Sequence, residues 1–481
     1  MTAFGDLPYY ALLAATILLV AVLRSNRLRV IGLLASSWIF FAVTGGGAFI
    51  LLLATTIVDW RLGLAIAREG DARKRRALLV AGLVASLGTL VLVKYAGFFV
   101  RSLAIATGLP PEGVALPFDG LLPTLAISFY TFESVSYLVD VYRRELEPST
   151  SFVEYATFIA FFPHLVAGPI VRPKQFLHQI HERIAFRSSN LAPGLSLIAL
   201  GLVEKLVVAD GLAPFVDAVF LKPGAWELSS AWVFLGVLAF GVQIYCDFAG
   251  YTHIALGSAK LLNLDLPENF DFPYLATSPR AFWRRWHITL STWLRDYLYK
   301  PLGGSRNGSG RTVFALMATM ALGGLWHGAS WTFVLWGVLH GALLVADRFG
   351  SPALRARTSF VPRGLALAAG WFATQYAVFL GWLLFRAASL EDALYMARKY
   401  LFLDGFAWSL DGAPAGADLA TAAPLIVGFV VVGLASAGLG GLAARLGAVR
   451  PAPWAAAMGA LLLAVFALAP SDTVPFIYFQ F

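Results

Sequence analysis

Two histidines lie in settings where an imidazole could do chemistry. His327 lies in LGGLWHGASW, an apolar stretch interrupted by Gly323, Gly324 and Gly328. Glycines there let backbones approach closely and leave room for a ligand. A neutral histidine is the usual general base near pH 7, which suits deprotonation of a hydroxyl group. The alternative for His327 is a buried histidine that only packs within the core.

His287 lies in a long aromatic and basic segment, FWRRWHITLSTWLRDYLYKPLGG. Helical spacing predicts one amphipathic helix, with most apolar side chains and His287 on one side. That side contains Trp283, Trp286, His287, Leu290, Trp293, Leu294 and Tyr297, and the other contains Arg284, Arg285, Thr292, Arg295 and Asp296. Such a helix is too charged to cross lipid alone, so it should lie in the interface or re-enter beside a water-filled cavity. The alternative is an interfacial anchor with tryptophan at the headgroups.

The other histidines lack this setting. His178 and His181 lie in the polar stretch QFLHQIHER, His164 precedes an AGP turn, and His253 follows an aromatic cluster. None has a partner at metal-ligand spacing, and the sequence contains no HExxH or CxxC pattern. We therefore expect no metal site.

His340 follows in WGVLHG, where Gly337 and Gly341 form a GxxxG face suited to helix packing. If His327 and His340 shared one helix, their thirteen-residue separation would put them on nearly opposite faces. On that premise they should not act as a pair.

The elements that position these residues must be membrane helices. The 481 residues are 59% hydrophobic and only 13% charged, with a mean hydropathy of +0.73, which fits no soluble class. Apolar runs have lengths near the roughly 20 residues that span a bilayer. The runs are Leu12 to Leu23, Val30 to Val43, Phe49 to Ile66, Leu78 to Val93, Leu121 to Val141, Phe152 to Val171, Leu191 to Ala209, Ala231 to Cys246, Val313 to Trp326, Trp331 to Ala346, Leu365 to Phe385, Leu425 to Leu439 and Ala455 to Ala469. They predict one all-α polytopic membrane domain over residues 1–481, with about eleven to thirteen spans.

Basic residues predict the orientation. Arg24, Arg27 and Arg29 follow the first apolar run rather than precede it, so we expect an anchor and not a cleavable signal peptide. The next basic loop, Arg68 to Arg76, lies two spans later, and Arg143 and Arg144 follow after two more. The positive-inside rule places these loops in the cytoplasm and the amino terminus outside.

A membrane location also explains how the charged residues are distributed along the sequence. The net charge of +8 is spread over short loops, with no basic domain of the kind that binds nucleic acid. Cys246 is the only cysteine, which excludes an internal disulfide. Ionisable residues also lie in or beside apolar runs, where they either pair with one another or mark a functional path. These are Asp59, Lys94, Glu133, Glu204, Lys205 and Asp247.

Several long motifs occur in one order that resembles the membrane-bound O-acyltransferase family, in its bacterial alginate O-acetylase branch. They are AISFYTFESVSYLVDVYRR, FFPHLVAGPIVRPKQF, YCDFAGYTHIALGSAKLLNLDLPENFDFPY, FWRRWHITLSTWLRDYLYKPLGGSR, GGLWHGASWTFVLWGVLHG and the terminal PFIYFQF. They cover residues 126–481, and the earlier spans agree in hydropathy alone.

The resemblance implies roles and a fold. His327 matches the family's catalytic histidine and His287 its second functional histidine, whereas His253 stands where an acidic residue was expected. The implied fold is a ring of tilted helices with re-entrant segments around a central funnel. Candidate substrate-binding residues near the histidines are Arg284, Arg285, Trp286, Arg295, Trp326 and Asp247. The arginines are the nearest candidates to bind the phosphates of coenzyme A, and the alternative is that they contact lipid headgroups.

The implied function is transfer of an acetyl or similar acyl group from a cytoplasmic acyl thioester, such as acetyl-CoA, to an exported or cell-surface polysaccharide. No tightly bound cofactor is expected. The implied location is the bacterial cytoplasmic (inner) membrane. The implied partner is a separate extracytoplasmic, esterase-like acetyltransferase, and the alternative is direct acylation of the polymer by this chain. The alternatives are a transporter, which would move a solute without cleaving a thioester, and a structural membrane subunit of a polysaccharide secretion machine.

Overall fold

The computed structural model describes residues 7–110, 126–166, 168–182, 184–220, 228–357, 360–401, 410, 412–437, 451–470 and 474–477, excluding the side chains of 352–357 and 435–437. Parts of three polar stretches that separate the apolar runs lie outside these residues, namely Leu109 to Gly120, Arg172 to Asn190 and Leu403 to Leu419. The end of the terminal PFIYFQF motif also lies outside them. The start of the Leu121 to Val141 run and the end of the Leu425 to Leu439 run also lie outside them.

Helices dominate the described residues, which contain no strand. The helices are α1 Leu7–Val22, α2 Asn26–Gly45, α3 Ala48–Arg68, α4 Ala72–Leu90, α5 Ala96–Ala106, α6 Ile127–Arg143, α7 Phe152–Ala160, α8 Phe162–Leu165, α9 Pro173–His181, α10 Leu191–Leu202, α11 Asp210–Phe220, α12 Ser230–Leu261, α13 Pro279–Trp283, α14 Ile288–Leu294, α15 Gly308–His327, α16 Trp331–Arg357, α17 Arg363–Arg386, α18 Leu390–Tyr400, α19 Leu419–Ala437 and α20 Pro451–Leu468. Three π-helical segments, Val91–Tyr95, Val203–Ala209 and Arg295–Tyr299, continue α4, α10 and α14.

Eight helical stretches among the described residues are long and apolar enough to cross a membrane. They are Asn26–Gly45, Ala48–Arg68, Ala72–Ala106, Ser188–Phe220, Ser230–Leu261, Trp331–Ser351, Arg363–Arg386 and Pro451–Leu468, with shorter apolar helices at Leu7–Val22 and Leu419–Leu434. Large apolar side chains on these helices face outward, as lipid requires; Phe466, for instance, is 90% exposed. The predicted all-α polytopic membrane fold is therefore confirmed, while the number of spans stays a prediction.

The predicted run Phe152 to Val171 does not form one helix. α7 ends at Ala160, Phe161 takes an extended ψ of 105°, and the short α8 begins at Phe162 with Pro163 in its first turn. In a continuous helix Pro163 would have no N–H to donate to the Ile159 carbonyl oxygen, and its ring would clash with that carbonyl. A span drawn from hydropathy alone was wrong here because Pro163 breaks the helix.

The chain forms two compact units. The first comprises Met1–Ile198 and Tyr251–Pro267, and the second Ala199–Gly250 and Glu268–Phe481. In the first unit α3, α4 and α6 pack against one another, and α2 packs against α7. In the second unit α16 packs against α13, α15, α17 and α18.

Two carboxylic side chains inside the apolar helices of the first unit accept hydrogen bonds from uncharged groups, not from another of the ionisable residues named above. In the first unit Asp59 accepts a hydrogen bond from Ser86 at 2.9 Å, and Glu133 accepts one from the Val171 N–H at 3.1 Å. Glu133 also lies 3.4 Å from His164, which is buried. These contacts offset the cost of burying charge in the membrane.

Two glycines bring α15 and α16 into backbone contact. A Cβ at Gly324 would overlap the Phe333 carbonyl oxygen, and a Cβ at Gly337 would overlap that of Met320. The predicted role of Gly337 in helix packing is therefore confirmed. This approach places the first turns of α16 beside the end of α15, where His327 lies.

Candidate functional site

His327 is the last residue of α15 and is buried, with 3% of its surface exposed. Its ring contacts three aromatic rings, with centroid distances of 5.0 Å to Trp326, 5.0 Å to Trp336 and 5.2 Å to Phe385. Trp336 comes from α16 and Phe385 from α17. A helix end inside an aromatic shell holds the imidazole rigidly and away from bulk water.

His287 is reached by a sharp turn and not by the continuous amphipathic helix that the sequence predicts. α13 ends at Trp283, and His287 has a φ of 42° immediately before α14. That prediction was wrong because the backbone enters the left-handed region, which histidine visits more readily than most residues. The His287 side chain is fully buried, and its Nδ1 lies 3.0 Å from Asn269 Oδ1.

Trp326 connects the two predicted catalytic histidines. Its ring centroid lies 6.1 Å from that of His287 and 5.0 Å from that of His327, so the two imidazoles are no more than about 11 Å apart. Trp326 itself is 5% exposed. The second unit therefore brings together residues that are 40 positions apart in the sequence.

A dense aromatic cluster extends from this pair. The ring centroids of Trp286 and Trp382 are 4.6 Å apart, and those of Trp336 and Trp283 are 5.7 Å apart. His340 is buried in the cluster, 4.7 Å from Trp336. His340 belongs to α16 and His327 to α15, so the premise of one shared helix does not hold, because the chain leaves the helix after His327. The Trp336 ring contacts the imidazoles of both His327 and His340.

Of the three predicted donor-binding arginines, two are held by neighbouring carboxylates. Arg285 Nη1 donates to the Asp271 carbonyl oxygen at 3.1 Å and lies 3.6 Å from its carboxylate. Arg295 forms a bidentate pair with Asp296, with both distances 3.0 Å. Burial raises the pKa of Asp296, but hydrogen bonds from Arg295 and Lys300 together with their charges outweigh it and lower the pKa to about 2. Asp296 therefore partly neutralises Arg295 at any physiological pH.

Arg284 instead lines a polar cavity of about 250 Å³ between α13 and α16. We call this cavity the arginine groove; its polar lining residues are Ser278, Arg280, Arg284, Asp347, Arg348 and Ser351. Asp347 accepts a hydrogen bond from Ser351 at 2.8 Å and pairs with Arg280 at 3.4 Å. Three arginines and one carboxylate thus line the groove, so its lining carries a net positive charge. Sequence reasoning missed Arg280 and Arg348 because nothing local connects α13 with the far end of α16.

Asp247 is part of a buried ionic network. Its carboxylate lies 2.7 Å from Lys205 Nζ, and it accepts a hydrogen bond from the Ile477 N–H at 2.8 Å. Lys205 also pairs with Asp210 at 2.7 Å and donates to the Val474 carbonyl oxygen at 2.8 Å. Asp247 and Lys205 thereby hold the segment 474–477 in place. Within the part of the chain that the structure describes, no cluster of three His, Cys, Asp or Glu side chains could hold a metal ion.

Comparison with known proteins assigns this helical, histidine-centred chain to a family. The sequence model of the membrane-bound O-acyltransferase family matches residues 141–388, which include both His287 and His327. The chain belongs to that family. It is an acyltransferase, and the resemblance that the motifs indicated is confirmed.

Relatives of this acyltransferase include a probable alginate O-acetylase of Azotobacter vinelandii, which is 39% identical over 391 residues, or 81% of this chain and 75% of that protein. A peptidoglycan O-acetyltransferase of Helicobacter pylori is 35% identical over 401 residues, covering 78% of this chain and 74% of that protein. A teichoic acid D-alanyltransferase of Streptococcus thermophilus is 32% identical over 245 residues, covering 48% and 58%. All three names denote acyl transfer to a cell-surface or exported polymer, which favours an enzyme over a transporter or a structural subunit.

Proposed function

We propose that this chain transfers an acetyl group, or another short acyl group, from a cytoplasmic acyl thioester towards a hydroxyl group of an exported polysaccharide. The single observation that supports it best is the pair of buried imidazoles that contact one tryptophan, in a member of an O-acyltransferase family. Two relatives are named as O-acetylases or O-acetyltransferases of polysaccharide-containing polymers. Acetyl-CoA is the donor that we propose.

In the proposed mechanism, His327 is the general base. An imidazole nitrogen takes the proton from the acceptor hydroxyl, and the oxygen attacks the thioester carbonyl carbon. The new C–O bond forms, the C–S bond breaks, and the departing thiolate takes the proton back from the imidazolium. His287 orients the acceptor or the thioester carbonyl. The aromatic shell supports both roles because it excludes water that would otherwise hydrolyse the thioester.

The arginine groove is the proposed site of the donor's phosphate groups. Guanidinium groups bind phosphate oxygens in a bidentate manner, and three of them line this groove. Trp283, the neighbour of Arg284, contacts Trp336 in the aromatic cluster. Arg348 lies eight residues beyond His340, about 12 Å further along α16. A donor with its phosphates here and a long flexible thioester arm would extend towards the histidines.

The charge pattern supports a cytoplasmic position for this groove. The stretch from Arg348 to Arg363 contains four arginines and no acidic residue. Short loops rich in arginine stay in the cytoplasm. The location that we propose is the bacterial inner membrane. The same rule applied to the first loops puts the amino terminus outside.

Turnover of a radiolabelled acetyl thioester tests the proposal. Purified protein in lipid vesicles should transfer acetyl from acetyl-CoA to a soluble hydroxyl acceptor, and His327→Ala should lower the rate by about 10²- to 10⁴-fold. His178→Ala is the matched control, because the His178 side chain is 77% exposed and, among the described residues, pairs only with Glu182 in its own turn. Unchanged turnover in His327→Ala would contradict the assignment of His327.

His287 needs its own measurement, because a positioning role differs from that of a base. His287→Ala should lower kcat or raise KM for the acceptor, while donor affinity at the arginine groove stays unchanged. A loss of donor affinity alone would contradict the proposed role of His287.

A further inference from the structure

Asn269 makes an unusual number of contacts with the turn that contains His287. Its Oδ1 lies 3.0 Å from His287 Nδ1, 3.1 Å from the Thr289 N–H nitrogen and 2.9 Å from Thr289 Oγ1. Its backbone carbonyl also accepts a hydrogen bond from the Ile288 N–H at 2.9 Å. Asn269 is 1% exposed and His287 is fully buried, so solvent does not compete for these bonds.

The Thr289 backbone determines which atom of the Asn269 amide faces the turn. A backbone N–H can only donate, so its partner at 3.1 Å must be the amide oxygen and not the NH₂ group. That oxygen has no hydrogen to give. His287 Nδ1, 3.0 Å from the same oxygen, must therefore carry a proton.

The tautomer of His287 follows. In a neutral imidazole only one ring nitrogen carries hydrogen, so a protonated Nδ1 leaves the lone pair on Nε2. Nε2 is buried and has no hydrogen-bond partner among the described residues. A lone pair without a protein partner in a catalytic cluster is available to a substrate hydroxyl or to water.

The backbone is constrained together with the ring. His287 has a φ of 42°, a conformation that persists in a non-glycine residue only where the surroundings impose it. The hydrogen bonds from Ile288 N–H and Thr289 N–H to Asn269 impose it here. On the other side, Phe248 meets the His287 ring edge-to-face, with centroids 4.7 Å apart and an interplanar angle of 85°.

We infer that Asn269 is a positioning residue for His287, and that it holds the ring in the Nδ1–H tautomer with Nε2 free to accept a proton or a hydrogen bond from substrate. This inference rests on the proposed function of His287. The Asn269 amide and the Thr289 N–H together form a device that sets both the direction of the ring and its protonation pattern.

Nitrogen NMR tests the tautomer without any turnover. Protein labelled with ¹⁵N-histidine and placed in lipid nanodiscs gives a resonance pair assigned to His287 by its absence from His287→Gln. The wild-type pair should show a protonated Nδ1 and an unprotonated Nε2, and Asn269→Ala should shift the population towards Nε2–H. A wild-type spectrum with Nε2–H, or one that Asn269→Ala leaves unchanged, would overturn the inference.

Kinetics add a readout that a merely structural role would not move. Asn269→Ala should lower kcat by about 10²-fold, the scale of a misplaced catalytic group, and leave KM for the donor unchanged. Asn269→Asp keeps an oxygen acceptor and should restore most of kcat. Its carboxylate also stabilises imidazolium, so the acidic limb of the kcat profile should move to higher pH. Equal losses in both variants, with an unmoved profile, would contradict the inference.

The controls distinguish a folding defect from a positioning defect. They also distinguish the positioning role of Asn269 from the proposed function of His287. Asn307→Ala is the matched control, because Asn307 is exposed and makes no side-chain cap to α15. If Asn269→Ala does not fold, the wild-type spectrum and Asn269→Asp still decide the matter. If the His287 tautomer depends on Asn269 but turnover does not depend on His287, the proposed function of His287 is rejected. The positioning role of Asn269 then stands.

Discussion

His327 and Trp336 meet at nearly a right angle, with ring centroids 5.0 Å apart and an interplanar angle of 88°. The contact exists because α15 and α16 touch through Gly324 and Gly337. No residue larger than glycine fits at Gly337, since its Cβ would overlap the Met320 carbonyl oxygen. The position of the His327 imidazole thus depends on a helix contact whose two glycines lie three and ten residues away from it in the sequence.

Gly337→Ala should therefore destabilise the protein and impair turnover together. Overpacking of this kind typically costs about 1–3 kcal/mol, because backbones must separate to admit the methyl group. The measurement is thermal unfolding in lipid nanodiscs, followed by acetyl transfer at a temperature where the variant is folded. Gly350→Ala, on the same helix, is the control because a Cβ there meets no atom within 4 Å. Equal melting temperatures for both variants would contradict the close approach of the helices.

Hydropathy was sufficient to find most helices of this chain, because a lipid-facing helix must be apolar over its whole length. It failed at Phe161, where Pro163 supplied a local signal that the length of the apolar run obscured. At His287 no local signal exists: the preceding residues Arg284, Arg285 and Trp286 contain neither glycine nor proline. The turn is imposed by Asn269, 18 residues earlier, and a periodicity argument does not include such a contact.

The candidate site was also predictable only in part, because some of its residues come together only through the packing of helices. Motif resemblance identified His287 and His327, which are widely separated in sequence, and the structure shows that one tryptophan contacts both. Arg280 and Arg348 could not be paired from sequence, since their proximity arises from the packing of α13 on α16. Arg295 was a reasonable candidate by type, and only the structure shows its pairing with Asp296.

Donor binding should distinguish the arginines by their partners. Arg284→Ala and Arg348→Ala should each weaken binding of acetyl-CoA, with the loss largest at low salt, because each removes a guanidinium from the arginine groove. Arg295→Ala should change it little, since Asp296 already pairs with that residue. Binding can be measured by calorimetry in nanodiscs with desulfo-CoA, which cannot accept or lose an acyl group. A larger effect at Arg295 than at Arg284 would place the donor elsewhere.

Lys205→Met should destabilise the second unit strongly. The variant would leave the carboxylates of Asp210 and Asp247 buried without their shared cation, a change that typically costs about 3–5 kcal/mol. It would also release the Val474 carbonyl oxygen, which Lys205 now binds. Limited proteolysis near residue 474 and thermal unfolding provide the readouts.

The matching control removes the lysine of an ion pair on the surface. Lys260 and Asp265 also lie 2.7 Å apart, but their side chains are 35% and 73% exposed. An exposed pair contributes at most about 1 kcal/mol. Lys260→Met should therefore leave the melting temperature nearly unchanged, and equal effects at both lysines would contradict a structural role for the buried network.

The polymer acceptor is expected to require a second protein. The cluster around His287 and His327 is closely lined by aromatic rings, and a long hydrated polysaccharide would have to lose much of its water to enter it. An extracytoplasmic, esterase-like acetyltransferase that collects the acyl group on the outer side of the membrane avoids this cost. Vesicles with acetyl-CoA on the side of the arginine groove and polysaccharide on the other should acetylate the polymer only when that partner is added. The His327→Ala protein with partner present is the control for transfer through this chain. Efficient acetylation of polymer by the wild-type chain alone would show that the acceptor reaches the histidines directly.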